Sequence, residues 1–235
     1  MRVVAPSVIA VCGLAVAWSV LAGELVVIES TAPELKPGQI VDSSAALSLP
    51  SGAHLTLVAE DGTVTNLKGP FSGPPPVTGR PGDGGLVSAL SRLIGGDAAG
   101  TSVLGVMRSA PTTAAADPWA VDVLRSGNHC VPADAAPNLS RSKPHKSVTL
   151  TLKTLPDGAK VSVRWPAGSN RMAWPDGVPL TNGGRYLAKL SDRPTASKLM
   201  IHLVPGGLPS DAHRAAWMAE RDCSRQAKAL LAGLH

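Results

Sequence analysis

The pair His129-Cys130 has the composition of a thiolate nucleophile beside its base. Neighbours in an extended strand point to opposite faces, so the two side chains cannot meet there. Ser140-Arg141-Ser142-Lys143 has the Ser-x-x-Lys spacing of an acyl-transfer site. That chemistry needs a helix to stack the lysine over the serine. Here Pro144 follows at once, and strand-like alternation begins at Val148. The six histidines, at 54, 129, 145, 202, 213 and 235, show no metal-ligand spacing. His54 and His202 fall on the polar phase of their segments. No nucleophile elbow, Walker loop, dinucleotide fingerprint or zincin motif occurs. The expectation is no catalytic residue, no metal and no cofactor, although a site assembled from dispersed residues stays open.

Three other groups of residues point to binding or stability. Cys12 lies in an apolar leader, which leaves Cys130 and Cys223 as the one possible disulfide. Trp165-Pro166-Ala167-Gly168 and Trp174-Pro175-Asp176-Gly177 repeat a Trp-Pro-x-Gly turn. With Tyr186 they make a candidate platform for a glycan or peptide, because flat rings desolvate readily against apolar sugar faces. Trp165 also continues the inward phase of Val161 and Val163, which reads as core. Finally, Arg141, Lys143, Lys146, Arg214, Arg221, Arg225 and Lys228 form a candidate face for an anionic lipid, glycan or protein.

These residues need elements to hold them. Residues 3–22 are uncharged and apolar behind Met1-Arg2, and Val20-Leu21-Ala22 suits signal peptidase. The reading is an exported, periplasmic or secreted chain, with retention of 3–22 as an inner-membrane anchor as the alternative. Period-two alternation with turn residues runs from Glu24 to Phe71, and Asp61-Gly62 is the firmest hairpin signal. Residues 72–118 are rich in Pro, Gly and Ala and read as a mobile connector holding a short helix around Leu86, Leu90, Leu93 and Ile94, with a further strand at Thr101–Arg108. Strands return in 119–235, and a terminal helix capped at Ser210 or Asp211 carries an apolar stripe of Ala216, Ala219, Cys223, Ala227 and Leu230. Cys223 then points inward, so its bridge would pin the helix to the sheet.

Composition excludes several classes. The 235 residues include 24 Gly and 21 Pro, too many helix breakers for a coiled coil. Three Cys exclude a disulfide-dense miniprotein, and one long apolar run excludes a polytopic membrane protein. A single Tyr and a single Phe leave little for base stacking, so nucleic acid is not an expected partner. The net charge of +5 is unevenly spread. Six acidic residues oppose two lysines in Glu24–Pro75, whereas sixteen basic residues oppose nine acidic ones from Asp117 onward.

The stretches Leu35-Lys-Pro-Gly-Gln-Ile-Val41, Ala46-Leu-Ser-Leu-Pro-Ser-Gly52, Leu55-Thr-Leu-Val-Ala-Glu-Asp-Gly62 and Leu67-Lys-Gly-Pro70 resemble a FecR-like periplasmic domain. The resemblance implies a small β domain at 23–71. FecR proteins proper carry a sigma-factor-binding segment before a membrane helix. Only Met1-Arg2 stands there in this sequence, so that activity is not implied. The run Trp165…Trp174-Pro175…Tyr186 is similar, more loosely, to Ig-like modules. The expected architecture is mainly β: a FecR-like unit, a connector, then a β-sandwich-like domain closed by a C-terminal helix. The expected role is an interaction or sensory module that meets another envelope protein or a glycan, and touches membrane only if the leader is retained. The alternatives are a wall- or glycan-acting enzyme and a ligand-binding protein that uses the Trp pair.

Overall fold

Apolar residues alternating with polar ones, punctuated by Pro and Gly, lay down six strands before residue 74. In the computed structural model, which describes residues 23–77, 85–96, 117–142 and 144–234, these are β1 (Glu24–Ser30), β2 (Ile40–Asp42), β3 (Leu47–Leu49), β4 (His54–Ala59), β5 (Val64–Lys68) and β6 (Phe71–Gly73). They form an antiparallel sheet ordered β2-β1-β4-β5 and a β3-β6 pair. Leu25, Val27, Leu47, Leu49, Leu55 and Leu57 fill the space between the two. The opposite side of β1 and β4 presents Val26 and Val58, both fully buried. Strands covered on both faces read as continuous apolar runs, which explains Leu25-Val26-Val27-Ile28.

The cover for Val26 and Val58 begins with α1 (Leu86–Gly95). Rather than floating in a connector, this helix buries Leu86, Val87, Leu90 and Leu93 in a core shared with both halves of the chain. Its N-cap residue, Gly85, supplies no side-chain cap. Instead the Glu60 carboxylate, from the β4–β5 turn, accepts the Leu86 and Val87 N–H groups at 2.6 and 2.9 Å. A carboxylate here satisfies orphan donors and meets the positive end of the helix dipole. At the other end Ser91 Oγ donates to Gly38 O at 2.6 Å. Gly38 has φ +87, and a Cβ there would meet the Gly95 backbone nitrogen at 2.9 Å, so the turn sits directly on the helix. Residues 78–84 and 97–116, with the strand expected at Thr101–Arg108, lie outside the described residues, as does the expected leader at 1–22.

From residue 117 the chain forms β7 (Val121–Asp122), β8 (Gly127–Pro132), β9 (Asn138–Ser140), β10 (Val148–Thr154), β11 (Lys160–Trp165), β12 (Arg171–Ala173), β13 (Gly184–Leu190) and β14 (Ser197–Val204). A five-stranded sheet ordered β11-β10-β13-β14-β8 faces a three-stranded sheet ordered β12-β9-β7. Leu150, Leu152, Trp165, Tyr186, Leu199 and Ile201 pack between them with Val121, Leu139 and Val178. The protein is therefore mainly β, with the expected sandwich-like second half.

The single terminal helix of the sequence reading is a pair, α2 (Asp211–Ala219) and α3 (Ser224–Leu231). Ser210 caps α2 as expected, its side chain accepting from His213 N–H. The periodic stripe misses the break because Asp222 adopts φ 57, a left-handed conformation that Asp tolerates better than most residues. Ala219 accordingly is only half-buried. Cys223, just past the break, is bonded to Cys130 of β8, with Cα atoms 6.0 Å apart at a sequence separation of 93. Gly62 of the β4–β5 turn, at φ +82, lies against Ser210 Oγ and His213, leaving no space for a Cβ. Among the described residues, no helix is long and apolar enough to cross a membrane.

Candidate functional site

The expected Trp165–Trp174–Tyr186 platform is not assembled. Trp165 and Tyr186 are fully buried in the sandwich core, because both lie on the inward phase of their strands. Tyr186 Oη donates to Pro179 O at 2.8 Å and accepts from Thr181 N–H at 3.0 Å, so the hydroxyl anchors a loop rather than a ligand. Trp174 stands edge-on to Tyr186, with centroids 5.0 Å apart at 84°, and its Nε1 donates to Val178 O at 2.8 Å. What remains is a shallow hollow of about 310 Å³ lined by Pro137, Trp174, Pro175, Val178, Pro179 and Leu180.

The expected anionic-partner face also divides. Arg141 is buried, at 5% exposure, because its donors are consumed inside the fold. Nε donates to Ser169 O at 3.1 Å, and Nη2 donates to Lys146 O at 3.1 Å and Pro166 O at 2.6 Å. The guanidinium also lies 5.0 Å from the Trp165 ring centroid. Arg214 is paired with Asp211 at 2.6 Å. Arg221 covers the Trp217 ring at 3.7 Å and bonds Trp217 O and Glu220. Lys228 also has an interaction partner. Lys146 and Arg225 are exposed, and Lys143 lies outside the described residues.

A different basic surface exists, and the sequence reading missed it. On β10, β11, β13 and β14 the residues opposite the core phase all face away from the sandwich. They include Lys153, Lys160, Arg164, Arg185, Lys189 and Lys198. Register sets them side by side: Thr149 faces Arg164, Thr151 faces Ser162 and Lys189, and Lys153 faces Lys160. Arg185 faces Met200, which is 36% exposed, and Leu187 faces Lys198. No acidic residue occupies an outward position on these four strands. Lys153 reaches Asp157 in the adjoining turn at 3.2 Å, and Arg164 Nε donates to Ser147 Oγ at 3.1 Å. Lys160, Arg185, Lys189 and Lys198 form no ion pair among the described residues. The signal was present in the sequence as the polar phase of each strand. It becomes a surface only once the order β11-β10-β13-β14 is known.

The same face continues onto β8, where Asn128 and Cys130 stand beside Met200 and His202. There the helix pair covers it. His202 Nε2 lies 3.2 Å from Asn128 Oδ1, and partial burial together with Arg221 lowers its pKa. His129 points to the opposite side of β8, with Nε2 3.2 Å from Arg125 O, and burial lowers its pKa too. It is thus separated from Cys130, whose sulfur is in the disulfide. Ser140 ends β9 rather than opening a helix, and Lys143 of the Ser-x-x-Lys spacing lies outside the described residues. Among the described residues, no group of three or more His, Cys, Asp or Glu is placed to hold a metal.

No protein-family model matches the chain, and no curated protein or solved structure matches it.

Proposed function

We propose that this is an exported envelope protein that works by binding, as an interaction module whose first 50 or so mature residues are FecR-like. The observation that carries the reading is the Cys130–Cys223 bridge, buried in the core shared by both halves. Such a bond persists in an oxidising compartment and not against the thiol pool of a cytosol. The apolar leader supports the same compartment. Support for the FecR-like reading is positional: the motif's apolar runs coincide with β3, β4 and β5, and its Gly residues with the turns at Gly38, Gly52 and Gly62. A rigid body with an open sheet face suits presentation of a surface to a partner.

Fractionation followed by intact-mass measurement tests the proposal. The expected species is periplasmic or secreted, begins at Gly23, and gains the mass of two hydrogen atoms on reduction by an added thiol or phosphine. A reduced, cytoplasmic full-length chain would overturn it. A second reading, a peptide or glycan ligand in the Trp174 hollow, is favoured by the Pro- and Trp-lined walls of that hollow. It predicts a Trp fluorescence change with wall-derived peptides or glycans that Trp174→Ala abolishes, and is overturned if the signal survives.

A further inference from the structure

We infer that the open face of the five-stranded sheet is a docking surface for a linear anionic polysaccharide, bound through Lys153, Lys160, Arg164, Arg185, Lys189 and Lys198. The first ground is charge: six cations project from four adjacent strands with no acidic residue among them at outward positions. Lys153 and Lys160 are directly opposite, and Asp157 in the adjoining turn pairs with Lys153 at 3.2 Å while Lys160 has no ion pair among the described residues. The second ground is shape. The outward residues Lys160, Ser162, Arg164, Arg185, Lys189 and Lys198 are exposed along the open sheet, so a ligand can meet them over its length rather than at one point. Neighbouring strands stand about 4.8 Å apart, and a polymer laid across them meets cations in succession.

The third ground separates the polymer from other polyanions. A sheet twists by roughly 20° per strand, so the cations on β11 and β14 do not share a plane. A flexible chain can follow that saddle, whereas a planar bilayer touches only part of it. The face carries no Trp, Tyr or Phe, the anchors that protein partners and membrane interfaces use, so a polymer here is held by charge and hydroxyl contacts and not by the ring stacking available at Trp174. It carries instead the hydroxyls of Thr149, Thr151 and Ser162 between the charges, which can exchange hydrogen bonds with sugar hydroxyls. The inference rests on the export proposal only for where the polymer is met.

The test uses the purified, disulfide-bonded protein with polygalacturonate and dextran sulfate, neutral dextran as the blank, and vesicles of phosphatidylcholine with phosphatidylglycerol. Lys189→Ala with Lys198→Ala is compared with Lys146→Ala plus Arg225→Ala, which removes the same charge from exposed sites elsewhere. The expected result is binding to both acidic polymers but not to dextran, weakened roughly tenfold or more by the face variant and less than twofold by the matched control, and falling with salt. A Lys→Gln version of the face variant and thermal melting of each protein guard against loss of fold. Equal losses in the two variants would mean attraction to net charge alone and would overturn the inference. So would tighter binding to vesicles than to polymer, or no binding. Because the assay is independent of compartment, it can fail while export holds, and export can fail while it succeeds.

Discussion

The side-chain amide of Gln226 pairs with Cys130 as a neighbouring strand would. Oε1 accepts the Cys130 N–H at 2.8 Å, and Nε2 donates to Cys130 O at 2.8 Å and to Pro118 O at 2.8 Å. β8 is the edge of its sheet, and its free backbone groups at this point are buried under α3. One amide therefore closes an edge that water cannot reach. Gln226→Ala leaves a donor and two acceptors unmet. It should destabilise by about 2–4 kcal/mol, read as a lower midpoint in urea at unchanged slope. Gln226→Glu keeps the acceptor but sets a carboxylate against two carbonyls, and should not rescue.

Glu60 is the cap that α1 lacks within its own sequence. Glu60→Ala should reduce stability by about 1–2 kcal/mol. Hydrogen exchange should accelerate first at Leu86 and Val87 and then through α1. If exchange rises uniformly across both β units instead, the cap is not what seats this helix.

Arg141→Ala should lower stability by roughly 2–3 kcal/mol, since three carbonyls lose a charged donor and Trp165 loses its cation. Arg141→Lys should recover only part, because a single ammonium cannot reproduce the fork. Affinity for acidic polymers should stay unchanged in both, which separates this buried guanidinium from the open sheet face.

Acidification should destabilise the protein through its histidines. Burial lowers the pKa of His129, and burial with Arg221 nearby lowers that of His202. The folded chain refuses protons that the unfolded chain accepts near the ordinary value of about 6.5. Their contribution is thus complete above about pH 6.5 and is lost as pH falls through the lowered folded values. Denaturant melts between pH 8 and 5 should show this slope, and His129→Gln with His202→Gln should flatten it.

Period two was legible wherever one face of a strand meets a core and the other meets water, as in Val148, Leu150 and Leu152 or Val161, Val163 and Trp165. Setting aside Cys12, which falls in the expected leader, made the disulfide legible as well. β8 was not, because the sandwich buries Val131 on one side and α3 buries Cys130 on the other, which erases alternation. Arg141 looked like surface because its type is polar. Its burial depends on carbonyls up to 28 residues away, supplied by loops that only the fold gathers. The cationic sheet face was unreadable for a related reason: each strand shows its own polar phase, but adjacency between strands is not written locally.

The core that contains Val26, Val58, Val87 and Leu90 also contains Val204, Ala212, Met218 and Leu231. Its described packing draws on segments from both sides of the span 97–116. Two separately translated pieces, residues 23–96 and 117–234, should therefore find each other and co-purify in equal amounts, and Leu90→Asp should keep them apart. On that outcome the protein is thermodynamically a heterodimer made of one gene product, its halves held at high effective concentration by their covalent link.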